Sequence, residues 1–235
     1  MRTSSHDLGD PIVRVRPAWR PGQVAPAQLV LTDHRLRPAT SQVERWAEDL
    51  SAAGYSHVRT GAIEPEAARG FLAAGFVVAQ RLALLRIDAP FDVPNATRPL
   101  RPMRAVDLDL AAAIDLAAFG PTWCFDAPTI GEARHATPAH RARFVVDESG
   151  AAIGYAITGR AARNGFLQRV AVAADAQGSG RGAALVADSL RWLRRWRVRT
   201  AFVNTEVDNQ PALRLYERAG FCPMRSELLV LERAL

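Results

Sequence analysis

The chain has 235 residues, of which 49% are hydrophobic and 23% charged, and a formal net charge of +6. That length allows one large or two small domains around a sizeable core, and the longest apolar run, residues 71–79, is too short to span a bilayer. Cys124 and Cys222 are too far apart in sequence to suggest a disulfide framework or a metal-ligand pair, and no apolar leader follows Met1, so the reading is a cytoplasmic protein without a metal.

Residues 1–26 carry Pro and Gly without a clear period and read as an arm or loops. Residues 29–32 read as a strand. Residues 41–53 read as a helix, with Ser41 as N-cap, Glu44 completing a capping box and Gly54 just past its end. A strand at 55–60, a helix at 65–74 closed by Gly75 and an apolar strand at 76–87 follow, and 88–99, with three prolines, reads as a linker. This half carries a faint repeat of the chain's end. A shift of 145 residues, which carries Gly75 onto Gly220, also places Ala67 on Ala212, Arg69 on Arg214, Ala74 on Ala219 and Val58 on Val203. Within that alignment Phe71 stands where Tyr216 stands and Glu64 where Asn209 stands.

The second half opens with a short strand at 100–103 and a helix from about Val106 to Phe119. Residues 119–137 are loop-rich, aromatic and of low periodicity. A hairpin at 143–147 and 151–158, a strand at 166–172, a helix at 183–196 and strands at 201–207 and 227–231 complete the pattern. Every basic residue is Arg, and after Pro94 there are 19 Arg against 14 acids. Arg191, Arg194, Arg195, Arg197 and Arg199 interleave with Trp192 and Trp196. An amphipathic helix with its tryptophans inward and arginines in water accounts for this pattern, and a polyanion-binding patch is the alternative.

The most informative stretch is V-A-V-A-A-D-A-Q-G-S-G-R-G-A, residues 170–183. Val170, Ala171 and Val172 end a strand, Gln177, Gly178, Ser179, Gly180, Arg181 and Gly182 form a glycine-rich turn, and Ala183 opens a helix. Glycines let backbone N–H groups approach a ligand closely, and the unpaired amides of a first helical turn carry the positive end of the helix dipole. The spacing therefore predicts a phosphate or pyrophosphate cradle. It matches neither the P-loop nor the dinucleotide fingerprint.

Gln-x-x-Gly-x-Gly after an apolar strand resembles the acetyl-CoA pyrophosphate loop of the GNAT superfamily of N-acetyltransferases. A second segment, N-Q-P-A-L-R-L-Y-E-R-A-G-F from Asn209 to Phe221, is similar to that family's N-x-x-A-x-x-L-Y-x-x-x-G-F. The resemblance covers about Thr97 to Leu235. It implies a mixed α/β GNAT acyl-CoA N-acyltransferase fold in a tandem or pseudo-tandem arrangement, with residues 1–94 a degenerate, non-catalytic GNAT-like domain and 97–235 the catalytic one. It further implies acetyl-CoA as cosubstrate. Backbone groups of Val170, Ala171 and Val172 would meet the pantetheine arm, the turn from Gln177 to Gly182 and Ala183 the pyrophosphate, and Asn209 the donor, with Tyr216 as the acid for the departing thiolate. Read alone, Tyr216 is a packing residue and Asn209 an N-cap.

A general base is less marked. The central strand offers Gln168 and Arg169 where relatives of this family often carry a carboxylate, which leaves Glu206, Asp126 and His135 as candidates. Trp123, Phe125 and Asp126, in the segment that borders the acceptor site in such folds, are the substrate candidates. The function expected is direct acetyl transfer to a primary amine of a small molecule or protein, by a monomer or homodimer without a membrane or nucleic-acid partner. The alternative is a CoA-binding regulator or scaffold of the same fold without turnover.

Overall fold

The structure is a computed structural model that describes residues 8–17, 27–33, 35–93, 95 and 97–235. The arm expected at 1–26 lies outside the described residues over 1–7 and 18–26; between these, Val13–Pro17 is a strand, β1. Contacts divide the chain into two units, residues 1–83 with 225–235, and residues 84–224. The division falls within two long strands, not in the proline-rich stretch, because each strand leaves one unit and ends in the other.

The first unit orders β1, β2 (Ala27–Leu31), β3 (His57–Thr60) and the end of β10 (Cys222–Ala234) side by side. β1 and β2 are antiparallel, β2 and β3 parallel, and β3 and β10 antiparallel with Arg59 opposite Glu232. Helix α1 (Thr40–Ala52) buries Val43, Trp46, Ala47 and Leu50, the one-face spacing of an amphipathic helix, and α2 (Pro65–Ala73) buries Ala67, Ala68 and Phe71. The ring of Phe71 meets Trp46 at 6.2 Å and Phe76 at 5.2 Å, and Leu231 of β10 joins the same core. The capping box expected at Ser41 and Glu44 does not form. The helix starts earlier, with Ala39 as N-cap, and the amides of Gln42 and Val43 bond to the Ala39 carbonyl, so Ser41 is already inside the first turn.

The second unit runs β5 (Leu100–Pro102), α3 (Leu108–Trp123), α4 (Ala127–His135), β6 (Ala139–Val146), β7 (Ala152–Ala161), β8 (Asn164–Val172), α5 (Arg181–Arg195), β9 (Thr200–Glu206) and α6 (Gln210–Arg218). Its strands lie in the order β5-β6-β7-β8-β9, followed by β4 (Val77–Asp88), whose Leu84–Asp88 end belongs to this unit. Pairing is antiparallel from β5 to β8 and parallel between β8 and β9. One face carries Ala111 and Ile114 of α3 and Ile130 of α4 over Phe144, Tyr155, Ile157 and Ala171; the other carries Leu185 of α5 over Val145 and Ala156. No single helix among the described residues is long and apolar enough to cross a membrane.

In this unit one helix breaks where its end was expected, just past Phe119, and one expectation changes. Gly120, at φ 68° and ψ 176°, with Pro121 after it, breaks α3 where a continuous helix would otherwise run to Trp123. The stretch 119–137, expected to be loop-rich, contains α4, which starts because the Asp126 carboxylate accepts the Thr129 N–H at 2.9 Å. Only Ile130 of α4 is buried, so periodicity gave no signal there.

The repeat is visible in the elements themselves. A shift of 145 residues carries Pro65–Ala73 onto Gln210–Arg218 and the start of β4 at Val77 onto that of β10 at Cys222. β2-α1-β3-α2-β4 thus repeats β8-α5-β9-α6-β10 in order, including the parallel pair. The closing strands are exchanged: the end of β10 completes the unit of β3, and the end of β4 borders β9.

Candidate active site

The site is built where β8 changes neighbours. On the β7 side, pairing continues to the end of the strand, with Gly154 opposite Val172. On the β9 side it stops at Leu167 opposite Val203. Between these limits β8 bulges at Gln168, since Ile157 faces Arg169 while Thr158 faces Leu167. A bulge adds local twist and swings a strand from its neighbour. From Gln168 to Val172 the edge toward β9 therefore has no partner strand among the described residues, and its backbone groups are open to an extended ligand. Val170 and Val172 pack toward the α5 face, while Ala171, 1% exposed, packs under α3.

Beyond Val172 the chain turns into α5. Gln177 Nε2 donates to the Val172 carbonyl at 3.0 Å, and its own amide bonds to Ala174 O. The Ala176 carbonyl accepts from Ser179 Oγ at 2.8 Å and from Arg181 Nη1 at 3.1 Å, and Arg98 holds the Ser179 carbonyl at 3.1 Å. These side chains fix the turn from below. Gly178 and Gly180 have φ of 76° and 81°, which a side chain makes costly. Gly180 is the N-cap, and among the described residues no side chain caps this start. The first helical bond is Ala184 N–H to Gly180 O at 3.0 Å, so the amides before it are not used by the helix. An unpaired strand edge, a left-handed glycine turn and an uncapped helix start in succession suit the amides, phosphates and thioester arm of a CoA-type donor. α5 itself is held by a forked Arg141–Asp188 pair at 2.7 and 2.9 Å and by a buried Thr158–Ser189 hydroxyl bond. Gly182 lets α6 approach: a Cβ there would stand 3.1 Å from Leu215.

On α6, Asn209 is the N-cap, its Oδ1 accepting the Ala212 N–H at 3.1 Å. Tyr216 is 5% exposed and meets Phe221 edge-on at 6.0 Å, and no hydrogen bond to its hydroxyl is found among the described residues. Burial pushes its phenol up to about 12, and the positive charge of Arg169 offsets this only in part. Glu206 is half-buried at the end of β9, its carbonyl bonded by the Asn209 N–H at 3.0 Å.

The substrate candidates gather beside β8. The Trp123 carbonyl accepts from Arg169 Nη2 at 2.8 Å, and the Phe125 amide donates to Asp115 at 2.6 Å. Asp126 spends one carboxylate oxygen on capping α4. His135 is exposed, its Nδ1 2.8 Å from Gly131 O, and stacks edge-on with His140. Burial first, then the charges of His135 and Arg134, hold His140 below the ordinary histidine range.

Three residues here were not singled out from sequence as a group: Asp115, Tyr155 and Arg169. Asp115 is fully buried and takes a forked pair from Arg169 at 2.9 and 2.6 Å and the Tyr155 hydroxyl at 2.6 Å. The guanidinium lies over the rings of Phe119 and Phe125, 3.7 and 3.9 Å from their centroids. Burial and the Asp115 charge raise the Tyr155 phenol well above its usual range, while the Asp115 pair outweighs burial and raises Arg169. The available signal was one Asp on the Ala111 and Ile114 face of a helix whose other acid, Asp109, sits in the first turn. At the bulge, Gln168 Oε1 is buried with no hydrogen-bond partner among the described residues.

Residues 110–221 match the family model described as the acetyltransferase (GNAT) family. A curated relative, mycothiol acetyltransferase of Pseudarthrobacter chlorophenolicus, is 31% identical over 169 residues, covering 63% of this chain and 51% of the relative. The chain thus spans about half the length of that relative. A GCN5-related N-acetyltransferase from Sphaerobacter thermophilus superposes with a TM-score of 0.64 at 19% identity, over 94% of this chain and 76% of the other. A tandem GNAT protein from the clavulanic acid biosynthesis pathway does so with 0.64 at 17%, over 95% and 79%. The splayed strand and the glycine turn thus lie in the stretch that matches the GNAT acetyltransferase family, and the chain shares the fold of these solved structures.

Proposed function

We propose that this protein transfers the acetyl group of acetyl-CoA to a primary amine by direct attack. The observation that carries the reading is the open edge of β8 from Gln168 to Val172, which runs without interruption into the Gly178–Gly180 turn and the uncapped start of α5. In this reading acetyl-CoA supplies an activated thioester. The backbone of Val170, Ala171 and Val172 binds the pantetheine amides, and the amides from Gly178 to Ala183 bind the pyrophosphate. Asn209 sets the start of α6 beside the donor, and Tyr216, held neutral by burial, presents a proton for the departing thiolate. Trp123, Phe125 and Asp126 border the acceptor, and Glu206 takes its proton, directly or through water. Residues 1–83 with 225–235 play no part in the chemistry, since the sequence that corresponds to the glycine loop, residues 32–37, has no glycine. The name of the curated relative puts mycothiol-related amines first in an acceptor screen.

Titration calorimetry with acetyl-CoA, CoA and ATP tests the donor site, and thiol release with a panel of amines tests turnover. Selective binding of acetyl-CoA and CoA with thiol release supports the proposal. Binding without release from any amine favours the scaffold reading, which Gln168 and Arg169 in place of a strand carboxylate also favour. Equal binding of ATP refutes both.

A further inference from the structure

We propose that Arg169 is a positioning residue of the acetyl-transfer site: its guanidinium clamps the segment carrying Trp123 and Phe125 to the central strand, so that one strand fixes both the donor edge and the acceptor border. This rests on the function proposed above. Arg169 stands one residue past the bulge at Gln168 and just before Val170, on the stretch of β8 that has lost its β9 neighbour. From there its donors reach in two directions. Nε and Nη2 take the two oxygens of Asp115 on α3, and Nη2 also takes the Trp123 carbonyl at 2.8 Å. Asp115 in turn accepts the Phe125 amide at 2.6 Å. The tied segment closely follows the break at Gly120, at the end of α3, where the last carbonyls and the amides beyond them need partners outside the helix. The guanidinium also lies over the rings of Phe119 and Phe125.

Fold stability alone does not call for such a device. A buried ion pair replaced by apolar groups of similar volume is often as stable or more so. What an apolar pair cannot do is bond one chosen carbonyl and one chosen amide of a loop. A lysine cannot do it fully either, since one ammonium lacks the planar fork that holds Asp115 and Trp123 together. Arg169 also supplies the positive charge felt by Tyr216, so the acceptor border, the donor strand and the proposed acid share one fixed group.

The test is the paired substitution Asp115→Asn with Arg169→Met, which removes both charges together, beside the single variant Arg169→Lys. Acetyl-CoA affinity by calorimetry, steady-state kinetics with the best amine of the screen, and amide hydrogen exchange at residues 123–125 are compared with wild type. The expected result is acetyl-CoA affinity within about three-fold, an acceptor KM raised roughly ten-fold or more with a smaller change in kcat, and exchange at Phe125 faster by roughly ten-fold. Arg169→Lys moves the same quantities less, and it carries the test alone if the paired variant does not fold. An acceptor KM within two-fold of wild type, or acetyl-CoA affinity falling in step with it, overturns the proposal. If the wild type turns over no amine, it is the proposed function that fails. The clamp is then judged by exchange: faster exchange confined to residues 123–125 supports it, and unchanged protection overturns it.

Discussion

Removing the hydroxyl of Tyr216 tests the chemistry most directly. Its phenol is pushed up to about 12 by burial, against an ordinary value of 10.0. Two units correspond to about 2.7 kcal/mol in favour of the neutral form, so that at pH 8 only about one molecule in 10⁴ carries a phenolate. A proton donor in that state is fully loaded across the whole assay range. We therefore expect wild-type turnover to show no descending limb between pH 6 and 10. Tyr216→Phe should lower kcat by about 10²–10⁴, the usual contribution of a positioned acid, with acetyl-CoA affinity within about two-fold of wild type. Thiol release at saturating acetyl-CoA, combined with calorimetry, reads both. A wild-type limb near pH 8–9 that disappears in the Phe variant would refute the burial argument, and a kcat within three-fold of wild type would refute the acid role. The same shift acts on stability. The folded value lies above the unfolded one, so this contribution is complete below pH 10 and is lost as pH rises toward 12, by about 2.7 kcal/mol in total. The Phe variant should lack that loss in alkaline unfolding curves.

The remaining predictions concern the frame. Gly180→Glu, which forces a side chain into a φ of 81° and sets a carboxylate at the anion cradle, should abolish acetyl-CoA binding in calorimetry while the far-ultraviolet spectrum stays native. Asp115→Ala leaves the Arg169 charge buried and unpaired and should cost about 3–5 kcal/mol in urea unfolding. Gly154→Ala would set a Cβ 2.8 Å from the Ala171 carbonyl, so β7 and β8 must separate beside the donor edge; about 1–3 kcal/mol of stability and a measurable part of the acetyl-CoA affinity should be lost. Leu231→Ala, at a fully buried position in the core of the first unit, should cost about 2–5 kcal/mol by thermal or chemical unfolding.

The parts of this protein that could be read from sequence are those set by local backbone demands. Glycines at 178 and 180 announce a left-handed turn before a helix, Asn209 and Pro211 announce a helix start, and both lie where these signals place them. The repeat was legible for the same reason, because Gly75 and Gly220 end corresponding helices. What escaped depends on distant partners. Asp115 and Arg169 are 54 positions apart and meet only when α3 packs across β8. Asp126 offered a carboxylate to several roles, and only the course of the backbone after Pro121 assigns it to the α4 cap. Ser41 failed as a cap because the N-cap rule names suitable residue types and not the position at which extended chain ends. The state of the Tyr216 phenol was not legible because burial, which no motif records, outweighs the charge of Arg169 nearby.

The exchanged closing strands have a consequence for how this polypeptide matures. Residues 225–235, made long after residues 13–60, complete the sheet that those residues begin. The first unit therefore stays a strand short, with Val58 and its neighbours exposed along one edge, until residues 225–235 have emerged from the ribosome. Nascent chains should be sensitive to protease over that edge up to that point and lose the sensitivity only after it. Removing residues 225–235 would hold the first unit in that immature state, with the damage appearing in the half of the sequence farthest from the deletion.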